Sequence, residues 1–283
     1  MKPVGEMLKN VREKTPLVHF ITNYVTVNDC ANITLACGGS PIMADEKSEV
    51  EEMTSLCSAL VINIGTANLR TLDSMICAGR HANDLDIPVI LDPAGVGASS
   101  FRNNAVNLLL QEINFSIIKG NISEIKFLSD GIISTQGVDA SKSDLVNEDN
   151  LPEAVTFARK ISMITGSVIV ITGPIDIIAD STQAYAIYNG HPSMPLVTGT
   201  GCMSAALLGC FAGANPDVLL DAAVASTALM GICGETAYLK KEQTGVGLST
   251  FRSLLIDSVG DADAKLLEEK IRIRHIPANT TQA

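Results

Sequence analysis

The chain of 283 residues contains no tryptophan, and aromatic residues make up only 4% of it. That scarcity argues against a stacking platform for single-stranded nucleic acid. Basic residues are also in short supply: 20 Lys and Arg face 31 Asp and Glu, a formal net charge of −11. A nucleic-acid backbone is a poor partner for such a surface, although one local basic spot could still serve a single nucleotide. Charged residues reach only 18% against 46% hydrophobic, so much of the chain must be interior, and its core must be aliphatic. No C-x-x-C occurs, and the seven cysteines (Cys30, Cys37, Cys57, Cys77, Cys202, Cys210 and Cys233) are odd in number. They read as reduced, buried small hydrophobes of a cytoplasmic protein. The histidines His19, His81, His191 and His275 are scattered, without metal-ligand spacing. The opening "MKPVGEMLKNVREKTPLVHF" lacks the apolar centre of a signal peptide. Uncharged runs such as "MSAALLGCFAGA" are shorter than the ~20 residues that cross a bilayer, so no membrane association is expected.

What is present is alternation. "LVHFIT" (17–22), "ALVINIG" (59–65), "PVILDP" (88–93), "FSIIKG" (115–120) and "SVIVITG" (167–173) read as buried strands ending at Gly, Pro or Asn. Longer segments with polar faces, including residues 66–86 and 151–166, read as helices between them. This rhythm predicts βαβ units, a mostly parallel sheet and helices on both faces. Residues 167–190 break it, with three strand-like runs joined by short turns at Gly173-Pro174 and Asp180-Ser181-Thr182. Connections so short predict an antiparallel edge. Residues 201–213 and 217–239 then read as two helices rich in small residues, divided at Asn215-Pro216-Asp217 and deep in the fold. One domain over 1–283 is expected, with 277–283 as a flexible tail.

Several polar residues fall at strand ends. Gly199-Thr200-Gly201-Cys202 opens a helix, where successive backbone N–H groups and the helix dipole favour an anion, and glycine permits close approach. An ordinary glycine-rich cap over a buried cysteine is the plainer alternative. A dinucleotide fingerprint through Gly199, Gly201 and Ser204 is poorly supported, because Asp221, at the right distance, lies inside a helical run. Asp92 follows a buried strand, Lys119 ends another, Glu124 opens the next helix, and Thr172 ends a third strand. In a parallel sheet all of these gather on the carboxyl rim, where open α/β sheets bind ligands. Two carboxylates, a lysine, a hydroxyl and an anion-binding helix mouth suit a Mg²⁺–nucleotide polyphosphate. Singly, each has a bland role as turn former, solvated charge or dipole partner. Asn23 follows the first strand, and "GGSPIMA" (38–44) places a tight turn before Met43, which could line a partly apolar pocket or simply fill a gap.

In this order, "HFITNYVTVNDCAN", "GGSPIMA", "ALVINIGT", "VILDPAGVGAS", "IIKGNISEI" and "VTGTGCMSAAL" resemble the hydroxyethylthiazole kinase family of the ribokinase-like superfamily, from residue 19 to about 210. The resemblance implies a three-layer α/β/α sandwich. It also implies transfer of the ATP γ-phosphoryl group to the primary alcohol of a hydroxyethyl-methylthiazole in thiamine biosynthesis or salvage, with Mg²⁺ required. A homotrimer with pockets at subunit interfaces is implied as well. By position, Met43 and Gly199 would contact the thiazole, and Asn23 would lie in the same pocket. Lys119 and Thr172 would bind ATP, and Asp92 and Glu124 would hold Mg²⁺ through water. Cys202 would adjoin the substrate hydroxyl as a weak base or an orienting group. The family usually has arginine in place of Lys119, so the bidentate fork is lost while the charge is kept. Sugar kinases of the wider superfamily carry aspartate in place of Cys202, as would an ATP- or ADP-dependent dehydratase on the same fold. Related kinases of hydroxymethylpyrimidine or pyridoxal-type alcohols are the nearest rivals, and a non-catalytic binder is another.

Overall fold

The computed structural model describes residues 1–132 and 145–277, so apart from Pro277 the expected tail lies outside the described residues. Among the described residues, nine strands form a single sheet: β1 (Leu17–Ile21), β2 (Ser40–Met43), β3 (Ala59–Asn63), β4 (Val89–Asp92), β5 (Ile117–Asn121), β6 (Val168–Thr172), β7 (Asp176–Ala179), β8 (Ala184–Ile187) and β9 (Ile273–Ile276). Their order is β2-β1-β3-β4-β5-β6-β7-β8-β9. The first six are parallel, and β7 to β9 run antiparallel to their neighbours.

Side-chain alternation along each strand feeds two separate cores. Val18 and Phe20, Val61 and Ile90 pack on one face. Ile21, Leu60 and Ile62, Val89 and Leu91 pack on the other. The strands therefore read as continuous apolar runs, as strands covered on both faces must. The first face is covered by α1 (Val4–Lys14), α2 (Val27–Cys37), α8 (Thr200–Ala214), α9 (Leu219–Thr244) and α10 (Leu248–Asp261). The second is covered by α3 (Val50–Ser55), α4 (Leu69–Asp84), α5 (Ser100–Glu112), α6 (Ile122–Ile132) and α7 (Leu151–Thr165), while α11 (Ala264–Lys270) packs against α1 and leads into β9. This is the three-layer α/β/α arrangement with a parallel centre and an antiparallel edge.

The structure departs from the sequence reading in three places. "SPIM" is an edge strand, β2, paired with β1, where a turn before Met43 was expected. Gly38, at φ +102, ends α2 and supplies the tight turn one step earlier. β9 pairs with β8 from a segment that carries no strand pattern, since Arg274 and His275 fall side by side between Ile273 and Ile276 and both are exposed. Finally, Pro216–Thr244 is long and apolar enough to cross a membrane by length and composition, but 72% of its apolar window is buried inside the fold. It is the core helix α9 with the short 3-10 turn that precedes it. All seven cysteines are free thiols, five of them buried.

Candidate active site

The parallel strands β1, β3, β4, β5 and β6 end on one rim, which places Asn23, Asn63, Asp92, Asn121 and Thr172 at or just beyond neighbouring strand ends. Asn63 pairs across from Asp92, and Asn121 from Thr172. α8 starts on the same rim. Its N-cap is Gly199, with φ +91 and no side-chain cap. Glycine is required there twice over: the backbone is left-handed, and a Cβ would lie 2.8 Å from Thr26 Cγ2. The helix's first N–H groups have no partner within the helix and face the rim with the positive end of the dipole.

A closed polar circuit joins that helix mouth to the sheet. Lys119, buried on β5, donates from Nζ to the Gly201 carbonyl at 3.0 Å and lies 3.8 Å from Asp92 Oδ2. A Cβ on Gly201 would stand 3.2 Å from the same Nζ, so the small residue lets the ammonium reach the backbone. Asp92 Oδ2 accepts from Asn63 Nδ2 at 2.7 Å, and Asn63 Nδ2 is 3.4 Å from Cys202 Sγ. Asn23 Nδ2 donates to Cys202 Sγ at 3.1 Å and to Asn63 Oδ1 at 3.0 Å. Burial pushes the Asp92 carboxyl up to about 6; the Lys119 charge opposes this and the Glu124 charge adds to it.

Glu124 anchors the neighbouring loop. Its Oε1 accepts the Gly95 N–H at 2.9 Å and its Oε2 the Asn121 N–H at 2.8 Å, while Asn121 Oδ1 accepts the Glu124 N–H. This reciprocal capping box fixes the first turn of α6 and ties it to the loop that follows Asp92. Among the described residues no group of three or more His, Cys, Asp or Glu could hold a metal ion. The pair Asp92 and Glu124 nevertheless fits Mg²⁺, which takes hard oxygens from one or two carboxylates and completes its shell with water and phosphate oxygens. Burial chiefly, and the Glu124 charge in lesser part, disfavour ionised Asp92, and a divalent cation held there would offset both.

Beside the circuit lies a cleft of about 280 Å³ whose wall includes Phe20, Tyr24, Met43, Asn63, Arg70 and Met75. Met43, at the end of β2, is 37% exposed and contributes an apolar wall. Asn23 sits between the lining residues Thr22 and Tyr24 and bonds the lining residue Asn63. The structure thus joins Asn23, Asp92, Lys119 and Cys202 in one network, through Asn63 and the Gly201 carbonyl. It sets Glu124, Thr172 and Gly199 around them on the rim, and Met43 in the adjoining wall.

Three polar residues of this rim escaped the sequence reading. Asn63 ends a strand as Asp92 does, and the strand-end rule applied evenly would have found it. Arg102, on α5, donates to the carbonyls of Ala94 and Gly65, both at 2.6 Å, and so ties the loops after β3 and β4 together. Its sequence signal is slight, a lone cation in the first turn of a helix. Asp176 opens β7 and accepts the Gly173 N–H at 2.8 Å. Desolvation pushes its carboxyl up to about 7, against the Gly173 hydrogen bond and the Lys119 charge.

Comparison with known proteins places the chain in a family. The sequence model of the Hydroxyethylthiazole kinase family matches residues 8–264. The chain belongs to that family. Its relatives include a hydroxyethylthiazole kinase of Clostridium acetobutylicum, 52% identical over 94% of this chain and 97% of the relative. A second, of Desulfovibrio desulfuricans, is 47% identical over 98% and 99%. The solved hydroxyethylthiazole kinase of Pyrococcus horikoshii superposes with a TM-score of 0.86 at 34% identity, covering 98% of this chain and all of the other. A ribokinase-like superfamily protein of Enterococcus faecalis shares the fold at a TM-score of 0.59, with 13% identity over 90% and 88% of the two chains.

Proposed function

We propose that this protein transfers the γ-phosphoryl group of ATP to the primary alcohol of 4-methyl-5-(2-hydroxyethyl)thiazole, a step of thiamine biosynthesis or salvage in the cytoplasm. The observation that carries the proposal is the circuit Cys202–Asn63–Asp92–Lys119–Gly201 at an uncapped helix mouth, set beside a partly apolar cleft. Family membership supports the same activity.

In this reading the first N–H groups of α8 receive the transferring phosphoryl group, whose charge spreads over its equatorial oxygens in a loose transition state. Lys119 and Thr172 bind the ATP phosphates, and Lys119 also steadies the helix mouth through Gly201. Asp92 and Glu124 hold Mg²⁺, which when bound supplies charge neutralisation to the phosphate oxygens. Met43 and Gly199 flank the thiazole, and Cys202 meets its hydroxyl. The thiol orients that hydroxyl and gives modest help with its proton, because a loose transition state needs little early deprotonation.

A homotrimer with cleft mouths at subunit interfaces belongs to the same reading. Tyr24 is 78% exposed, and Leu69, beside the lining residues Asn68 and Arg70, is 75% exposed. Large apolar side chains clustered at a cleft mouth fit burial against another copy.

The deciding experiment follows ADP release by purified protein with ATP and Mg²⁺, with hydroxyethylthiazole or hydroxymethylpyrimidine supplied in parallel. Release driven by the thiazole alone, with the phosphorylated alcohol seen by mass spectrometry, is expected. Release driven by the pyrimidine, or by neither, overturns the substrate assignment.

A further inference from the structure

Asn23 and Asn63 are both buried, at 4% and 1% exposure, in a site open to ligand. An asparagine side chain offers two N–H donors and two acceptor lone pairs. In each residue the protein itself uses all four. Asn63 Nδ2 faces Asp92 Oδ2 at 2.7 Å and Cys202 Sγ at 3.4 Å, and its Oδ1 accepts from Asn23 Nδ2 at 3.0 Å and from the Gly65 N–H at 2.8 Å. Asn23 Nδ2 faces Asn63 Oδ1 and, at 3.1 Å, Cys202 Sγ. Asn23 Oδ1 accepts the Thr26 N–H at 3.1 Å and the Thr26 hydroxyl at 3.0 Å.

The network also fixes which way each amide points. Turning Asn63 over would set its carbonyl oxygen against the Asp92 carboxylate and its NH₂ against two donors. Turning Asn23 over would set its NH₂ against the Thr26 N–H and its carbonyl against the Asn63 carbonyl. Both asparagines therefore present N–H, and only N–H, to one sulfur atom.

We propose that Asn23 and Asn63 form a two-donor bracket that positions Cys202 Sγ as a hydrogen-bond acceptor, and that Asn63 couples the sulfur's position to that of Asp92. Neither asparagine has capacity left for substrate, so both are positioning residues that act through Cys202. The two amides take up the thiol's two lone pairs and leave its S–H free to orient a neighbouring hydroxyl. Neutral donors hold the sulfur without adding net charge beside the phosphate site. The same pair of N–H groups would satisfy a carboxylate at position 202, so Cys202→Asp is expected to be tolerated. The catalytic part of this inference rests on the reading that Cys202 meets the acceptor alcohol; the bracket itself does not.

Two measurements test it. The first is alkylation of unliganded protein by iodoacetamide at pH 8, resolved by residue through peptide mass spectrometry, in wild type, Asn23→Leu and Asn63→Leu. Leucine keeps the branched shape and removes both the donors and the acceptor. The bracket fixes the sulfur's position and occupies its lone pairs, so the rate at which Cys202 reacts should change roughly tenfold in each variant, the worth of about one lost hydrogen bond. Buried Cys30, whose thiol burial pushes up to about 12, and buried Cys210 should stay unreactive in every variant and so report an intact fold.

The second measurement is a cycle of Asn23→Leu with Cys202→Ala, read as kcat. If Asn23 acts through the sulfur, its variant lowers kcat roughly tenfold in wild type and hardly at all in Cys202→Ala, with the KM for ATP unmoved in both. A merely structural role would give the same loss in both backgrounds. Should leucine prevent folding, Asn23→Ser enters the same cycle. Cys202 reactivity unchanged in both leucine variants, with Cys30 and Cys210 still shielded, overturns the bracket. Full activity of Cys202→Ala instead overturns the catalytic reading beneath it, and the alkylation result then decides the bracket alone.

Discussion

The helices on the two faces of the sheet differ in kind. On one face, α8 is buried at every residue from Met203 to Ala212, and α9 from Ala222 to Gly234. Both are apolar all round, because α1, α2 and α10 cover them from outside while the sheet lies beneath. On the other face, α4 buries Thr71, Leu72, Ser74, Met75, Ala78, Gly79 and Ala82 along one side, while Arg70, Asp73 and Arg80 are exposed on the other. The difference bears on function. The thiol and the helix mouth proposed to bind the phosphoryl group ride on a helix covered on all sides, whereas Glu124 rides on an outer helix whose first turn is held by a capping box.

The largest effect that would sharpen this comparison lies between the layers, at Asp92. Asp92→Asn should lower kcat/KM at least about a hundredfold, with the fold intact by circular dichroism, since one of the two carboxylates proposed to hold Mg²⁺ at the phosphates is lost. In the proposed role Asp92 holds the metal in its ionised form. Its carboxyl stands at about 6, so activity should fall as pH drops through that value and recover partly with added Mg²⁺. A rate flat from pH 7 to 5 would remove Asp92 from the phosphate site.

Gly209 of α8 tests the clamped layer. A Cβ there would lie 2.6 Å from Val61 Cγ2 and 2.9 Å from Val18 Cγ1, on two sheet strands whose β-branched side chains cannot turn aside. Gly209→Ala should cost about 1–3 kcal/mol in denaturant unfolding. Unchanged stability would mean that the inner layer yields as easily as the outer one.

Asp176 predicts a smaller, pH-dependent change. Its folded-state carboxyl stands at about 7 against an ordinary 3.8, so the folded protein binds this proton more tightly than the unfolded chain does. Its contribution to stability is therefore present at low pH and is lost as pH rises from about 4 to 7. Asn at this position keeps an acceptor for the Gly173 N–H and carries no charge. Asp176→Asn should raise Tm by about 2 °C at pH 8 and leave it unchanged at pH 4, as calorimetry would show.

Gly79 of α4 should show the smallest effect. A Cβ there meets a single side chain, that of Ile113, at 2.3 Å from Cδ1, 2.7 Å from Cγ1 and 3.1 Å from Cγ2, so that one side chain must shift under an outer helix, where at Gly209 two strands are met. The helix-propensity gain of up to about 1 kcal/mol for alanine offsets that displacement. Gly79→Ala should thus fall within about 1 kcal/mol of wild type, and a loss as large as that of Gly209→Ala would erase the contrast between the faces.

Much of this architecture was legible in the chain. "ALVINIG" and "PVILDP" announce buried strands, because strands covered on both faces must be apolar throughout. Asp92, Lys119 and Thr172 could be placed on one rim because a parallel sheet sends all its strand ends the same way. β9 could not be read, since its pattern of isoleucine, arginine and histidine acquires meaning only from pairing with β8. Asn63 looked like a strand terminator. Its role depends on two partners, 29 and 139 residues away, that local pattern cannot bring together.

The sequence by itself determined the alternation of elements, the aliphatic core, the antiparallel edge after residue 167 and the glycine-framed helix mouth at residues 199–202. These follow from periodicity, turn chemistry and backbone sterics, which act over a few residues. Only the tertiary structure decided that Lys119 reaches the Gly201 carbonyl and that two asparagines converge on the sulfur of Cys202. It also decided that a helix apolar enough for a membrane is instead wrapped inside the protein. Those outcomes depend on which distant surfaces meet once burial has closed the fold, and hydrogen-bond geometry is fixed only after that closure.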